Sequence, residues 1–158
     1  MSKPVFSIEP VRPNTDPAAA YCRLRRVMWP MDEMTCEREV AEILSSPRWR
    51  VLVARLGSGV IAGFVEAGFR DFAEGAESTP VGYMEGLYVL GEYRRLGIGK
   101  ALVRAGEEWL WSQGCSEIAS DAQIDNAISI ELHKRLGYAE VERQICFLKR
   151  KPATTAES

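Results

Sequence analysis

Residues 89–102 read VLGEYRRLGIGKAL. An apolar, strand-like run ends there, a short basic loop follows, and Ile98, Leu102, Ala105 and Trp109 then recur at helical spacing. Strand, glycine loop and helix in direct succession make an anion site. Gly97 and Gly99 carry no side chain, so an oxygen-rich ligand can come close to the backbone. The helix start offers N–H groups without intrahelical partners and the positive end of the helix dipole. Arg94, Arg95, Lys100 and Arg104 add positive charge. A pyrophosphate fits such a cradle. The stretch is not a P-loop, because Gly-Lys-Ser/Thr is missing, and not a dinucleotide fingerprint, because GxGxxG is missing. Taken alone, RxxGxG also reads as an ordinary glycine-rich connection with solvated basic residues.

Outward from the loop, residues 81–90 (VGYMEGLYVL) read as a strand. Before it, 50–56 and 60–69 flank Gly57-Ser58-Gly59 as a hairpin, and 70–80 is a polar, acidic loop. The chain opens with a strand over 5–11. Thr15 or Asp16 then caps a helix whose face carries Leu24, Val27 and Met28 and which stops at Trp29-Pro30. Thr35 caps a second helix with Val40, Ile43 and Leu44 as its stripe. After the glycine loop and its helix, 116–121 reads as a strand. Asn126 caps a further helix, Gly137 stops it, and 138–142 and 144–150 are two final strands. Strands interleaved with helices indicate an α/β (α+β) domain.

The chain has 158 residues, 46% hydrophobic and 27% charged, with 20 Lys and Arg against 22 Asp and Glu for a net charge of −2. That suits one domain with a real core, residues 1–151, followed by a loose polar tail at 152–158. Near-neutrality argues against a dedicated binder of nucleic acid or membrane surfaces. The first ten residues lack the apolar run of a signal peptide, and no stretch approaches the roughly 18 apolar residues of a spanning helix. Cys22, Cys36, Cys115 and Cys146 form no CxxC pair, and His133 is the sole histidine. No metal site is expected, and reduced thiols in the cytoplasm are the expected state.

The stretch 89–102 resembles the acetyl-CoA pyrophosphate loop of the GNAT superfamily of N-acetyltransferases. Asn126, followed by Ile130, Leu132, His133, Leu136, Gly137 and Tyr138, resembles that superfamily's later motif. The element order agrees with its fold. Gly91 stands where a proline is common. Within the superfamily, the chain is similar to the aminoglycoside 6′-N-acetyltransferases. The likeness is carried by Met28-Trp29-Pro30, by 78–89 ending Glu85-Gly86-Leu87-Tyr88-Val89, by Ala119-Ser120-Asp121, by Asn126 to His133 and by Glu140 to Glu142. The resemblance implies a mixed, mostly antiparallel sheet, splayed at the acetyl-CoA site and flanked by about four helices. It also implies acetyl-CoA as acetyl donor, transfer to the 6′-amino group of an aminoglycoside with resistance as the outcome, and a homodimer paired through C-terminal strands.

The site residues follow from the same resemblance. Leu87, Tyr88 and Val89 would present backbone groups to the pantetheine arm, with the Val89 N–H facing the thioester oxygen. They read equally as core strand residues. Arg95, Leu96, Gly97, Ile98, Gly99 and Lys100 would hold the pyrophosphate. Asn126 would hydrogen-bond the cofactor arm, or serve simply as a helix cap. Acceptor contacts would fall on Trp29, Asp32, Phe72, Glu85, Asp121 and Glu142. Trp29 also reads as a core residue closing its helix, and Asp121 as a turn residue that would otherwise accept the amine proton. Glu85 sits among apolar strand neighbours, where a carboxylate is costly without a cation to meet. An acceptor ammonium would supply one; a place on a solvated sheet face is the alternative. Asp32 stands where a histidine can occur and Phe72 where a tyrosine can. His133 stands where many relatives carry a tyrosine that protonates the leaving thiolate, and the general-acid role is left open between it and a structural one.

Charge is segregated along the chain. Glu66, Asp71, Glu74, Glu77 and Glu85 face Arg70 alone over 66–85, whereas 91–104 holds Arg94, Arg95, Lys100 and Arg104 against Glu92. A basic stretch for a phosphorylated donor beside an acidic one for a polycationic acceptor matches a transferase of this kind. The competing readings are the same fold acting on another polyamine or a protein amine, and a non-catalytic acyl-CoA-binding module.

Overall fold

The computed structural model describes residues 5–153. The elements run β1 (Phe6–Pro10), α1 (Asp16–Met28), α2 (Glu33–Ser45), β2 (Trp49–Leu56), β3 (Ile61–Arg70), β4 (Val81–Val89), α3 (Ile98–Ser112), β5 (Ile118–Ser120) and α4 (Ala127–Arg135). A 3₁₀ turn at Gly91–Tyr93 joins β4 to the glycine loop. The strands lie in sequence order in one sheet. β1 to β4 pair antiparallel, and β4 pairs with β5 in parallel.

Period-2 alternation divides the core between the two faces of the sheet. Val51, Val53 and Phe64 meet Tyr21, Leu24, Cys36 and Val40 of α1 and α2 on one face. Leu52, Ala54, Val65 and Ala67 meet Ile98, Leu102 and Leu110 of α3 on the other. Cys22 and Cys36 bring facing free thiols into the contact between α1 and α2.

Three local expectations are corrected. Val27 points outward, because the buried stripe of α1 (Ala18, Tyr21, Cys22) runs on through Arg25, which reaches inward to a buried carboxylate. The cap of α2 is Asp32, not Thr35: its carboxylate accepts the Thr35 N–H at 2.9 Å and the Thr35 hydroxyl at 2.6 Å. The strands expected at 138–142 and 144–150 do not form. A strand needs a neighbouring ladder, and this segment instead lies along the acidic loop. There Val141 meets Gly75, and Gln144 Nε2 donates to Glu74 at 3.3 Å. Of the expected tail, residues 152–153 carry no regular structure, and 154–158 lie outside the described residues. No helix among the described residues is long and apolar enough to cross a membrane.

Candidate active site

β5 ends at Ser120, opposite Met84, whereas β4 continues to Val89. The last tie between them is Ser120 Oγ donating to the Met84 carbonyl at 3.2 Å. Beyond it the sheet opens into a gap. Leu90 donates its N–H to Ala62 on the β3 side. Strand alternation therefore turns the N–H and C=O of Leu87 and Val89 towards the gap. The Val89 carbonyl already accepts Arg94 Nε at 2.8 Å, so Arg94 is folded back on the strand rather than extended to a ligand.

The gap leads to the glycine loop. Gly97 is the N-cap of α3 at φ +90°, a left-handed conformation that favours glycine, and a Cβ there would stand in open space. Among the described residues no side chain caps this helix, so its first N–H groups face outward. Arg95, itself at φ +63°, and Lys100 flank them, exposed. Leu96 is half-buried and Ile98 fully buried, which anchors the loop to the core. Open donors, a glycine cradle and two exposed cations fit a pyrophosphate.

Where acceptor contacts are expected, the β3–β4 register slips between Glu66 and Ala67, pairing Glu66 with Gly86 and Ala67 with Met84. Glu85 is the extra residue, and a bulge re-aims a side chain. The cation it meets is Arg70, at the end of β3. Arg70 Nε donates to Oε1 at 2.7 Å and Nη2 to Oε2 at 2.5 Å, while the guanidinium lies 3.5 Å from the centre of the Tyr83 ring. The bond to Glu85 raises the Arg70 pKa above its ordinary value. Tyr83 donates its hydroxyl to Asp121 at 3.1 Å, and burial followed by the Asp121 charge holds that phenol well above its usual range. Glu85, Arg70, Tyr83 and Asp121 thus form one cluster. Asp121 and Glu142 line a common groove of about 730 Å³ with Tyr83 and His133.

Trp29 closes the other wall. It packs on Gly86 and Phe64, with Arg25 5.0 Å above its ring. Arg25 donates from Nε to Glu66 at 3.0 Å and from Nη1 to Glu39 at 2.5 Å, and the Tyr21 hydroxyl donates to Glu66 at 2.5 Å. Glu66 is 2% exposed. Burial pushes its carboxyl pKa up, against the opposing pull of Tyr21 and Arg25. It therefore does not belong to the acidic surface expected from residues 66–85.

The remaining residues divide. Phe72 is 70% exposed beyond β3. Asp32 is engaged in its cap, and Asn126 caps α4 by accepting the Ser129 N–H at 3.1 Å. His133 is fixed between the Ser129 carbonyl, 2.7 Å from Nδ1, and Ser120 Oγ, 2.8 Å from Nε2. It ties α4 to β5, which favours the structural reading. Sequence reasoning missed Tyr83, Tyr21 and Arg25. For Tyr83 a signal existed, two residues before Glu85 on the same strand. It counted Arg70 only as a lone base.

The profile of the acetyltransferase (GNAT) family matches residues 18–138. An aminoglycoside N(6′)-acetyltransferase type 1 of Serratia marcescens is 40% identical over 132 residues, covering 82% of this chain and 90% of that protein. The crystal structure of the aminoglycoside antibiotic 6′-N-acetyltransferase AAC(6′)-Ih of Acinetobacter baumannii superposes with a TM-score of 0.84 at 32% identity, over 94% of this chain and 100% of that one. AAC(6′)-Iy in complex with the bisubstrate analogue CoA-S-monomethyl-acetylneamine gives 0.86 at 32%, over 93% and 99%.

Proposed function

Because this chain belongs to the GNAT family of acetyltransferases, we propose that it transfers an acetyl group from acetyl-CoA to the 6′-amino group of aminoglycoside antibiotics, and so confers resistance to them. The observation that carries this reading is the bulged Glu85 joined through Arg70 and Tyr83 to Asp121, at the mouth of the gap that leads to the phosphate cradle. A carboxylate cluster beside an anion site suits a polycationic acceptor and a phosphorylated donor. Relatives that are aminoglycoside 6′-N-acetyltransferases, one of them solved with a CoA–acetylneamine conjugate, support that pairing.

The roles are as follows. Arg95, Leu96, Gly97, Ile98, Gly99 and Lys100 hold the donor's pyrophosphate. Leu87, Tyr88 and Val89 line its arm, the Val89 N–H meets the charge that develops on the thioester oxygen, and the Asn126 amide nitrogen meets the arm from the other wall. Trp29, Asp32, Phe72, Glu85, Asp121 and Glu142 receive the acceptor. Asp121 takes the proton of the bound ammonium, directly or through water. The neutral amine then forms the new C–N bond as the C–S bond breaks, the acylated nitrogen releases its second proton to solvent, and the departing thiolate takes one from solvent. No covalent enzyme intermediate is required, since a positioned neutral amine is nucleophile enough.

Residues 1–151 form the catalytic domain. Val141, Ile145, Phe147 and Leu148 are exposed in the segment that fails to form strands here. This supports a homodimer in which a second copy supplies the missing ladder. We place the reaction in the cytoplasm.

Incubation with acetyl-CoA and a panel of 6′-amino aminoglycosides, following thiol release, tests the function. Turnover of kanamycin is expected, with Glu85→Ala and Asp121→Ala each slowing it while the fold persists. No turnover of any 6′-amino compound overturns the reading, and spermidine turned over as well as kanamycin would move it to another polyamine acceptor.

A further inference from the structure

Glu85 is the carboxylate that an acceptor ammonium should meet, and this chain has already supplied its cation. The Arg70 guanidinium grips both Glu85 oxygens, lies against the Tyr83 ring and faces Asp121 beyond it. We propose that Arg70 is a displaceable counter-cation of the acceptor site and sets its selectivity. It occupies Glu85 until an acceptor's ammonium takes its place. The inference rests on the acceptor reading above.

Two features favour displacement over permanent structure. Among the described residues, the Arg70 guanidinium hydrogen-bonds to Glu85 alone. Arg70 is also the last residue of β3, and its side chain is 43% exposed where that of Glu85 is 18%. The guanidinium covers the carboxylate and is itself open to water. Arg48 beside it, by contrast, is tied to the Phe69 carbonyl and Asp71.

The consequence is a charge threshold. An amine bearing one positive charge exchanges one cation for another at Glu85 and gains little, because both compete for the same charge-assisted bonds. A polycation offsets the displacement by meeting Asp121 and Glu142 as well. The site then favours an acceptor with several ammonium groups without any pocket shaped to exclude simple amines, which is specificity by competition rather than by fit.

Calorimetric binding of kanamycin to the CoA-loaded protein tests this. Arg70→Ala should bind kanamycin about fivefold more tightly than wild type, the worth of a partly exposed ion pair. Arg70→Lys, which keeps the charge but not the two-pronged grip, should fall between. In a Glu85→Gln background Arg70→Ala should add nothing. In steady state the acceptor KM should drop while the acetyl-CoA KM stays put. Unchanged or weaker kanamycin binding in Arg70→Ala overturns the proposal, since Arg70 would then merely hold Glu85 in place. So does absence of kanamycin binding in every variant. If wild type turns over no aminoglycoside but Arg70→Ala still binds kanamycin more tightly, the assigned function fails and the counter-cation stands.

Discussion

Trp29 rests directly on Gly86: a Cβ built on Gly86 would collide with the far edge of the indole ring. Gly86 follows the bulged Glu85 and pairs with the buried Glu66, so one glycine lets the indole approach β4 closely. Gly86→Ala forces Trp29 away. Overpacking of this kind costs about 1–3 kcal/mol, and because we propose that Trp29 receives the acceptor, we expect the acceptor KM to rise about tenfold with the acetyl-CoA KM unmoved. In a Trp29→Ala background the same substitution should have little further effect. Steady-state kinetics on the four proteins checks both statements.

Glu66 anchors the layer beneath. Its carboxylate accepts from Tyr21 and Arg25, and Arg25 in turn lies over Trp29. Glu66→Ala leaves a largely buried guanidinium short of its inner partner, a change that costs about 3–5 kcal/mol. Urea denaturation should show that loss. Glu66→Gln keeps an acceptor for both donors and should lose less. A loss below about 1 kcal/mol for Glu66→Ala would mean that Glu39 alone satisfies Arg25.

Much of this layout was legible in the sequence. The glycine loop and helix at 97–112, the hairpin at 50–69 and the strand carrying Glu85 follow from local periodicity and turn chemistry, which act within a dozen residues. The need of Glu85 for a cation was also legible; that Arg70 supplies it was not. A bulge shifts register by one residue, and period-2 counting cannot reveal which residue is extra. Glu66 counts in sequence only as one acid of an acidic stretch, because nothing within its own strand discloses Tyr21 and Arg25, more than forty positions earlier. The two final strands show the converse case. Their apolar residues are present, but pattern alone supplies no ladder.

Asp32 shows how a residue expected at the acceptor also serves the fold. Its two bonds from Thr35 hold the carboxyl below its ordinary value of 3.8. A depressed folded pKa means that the ionised cap stabilises α2 above the unfolded value, and that this contribution disappears as pH falls through the lower folded value. Asp32→Ala should therefore lower the melting temperature at neutral pH, and the gap to wild type should close in strong acid. Calorimetric melts across that range measure it. A gap that persists unchanged at low pH would assign the loss to something other than the charged cap.

The phosphate cradle makes a separable prediction. Gly97 sits at φ +90° with open space where a Cβ would go, so Gly97→Ala costs backbone strain but no collision. The strain of about 1–2 kcal/mol is relieved by shifting the loop, which misaligns the N–H groups at the start of α3. We expect acetyl-CoA to bind about tenfold more weakly by calorimetry, with the melting temperature little changed.

The C-terminal segment bears on assembly. Phe147 is 91% exposed, and Ile145 and Leu148 are nearly as open. So much apolar surface on a stretch without a ladder is the feature on which the proposed homodimer rests. If a second copy covers it by strand pairing, paired substitutions of Ile145 and Phe147 by Glu put charge on the buried side of that ladder. Light scattering should then report twice the chain mass for wild type and a single chain mass for the double variant. Asp121 and Glu142 line the groove beside this segment, so the monomeric variant should also turn over kanamycin more slowly, while its acetyl-CoA affinity, which we assign to the glycine loop and the end of β4, is retained. A wild-type protein that is monomeric at all concentrations would remove the proposed homodimer.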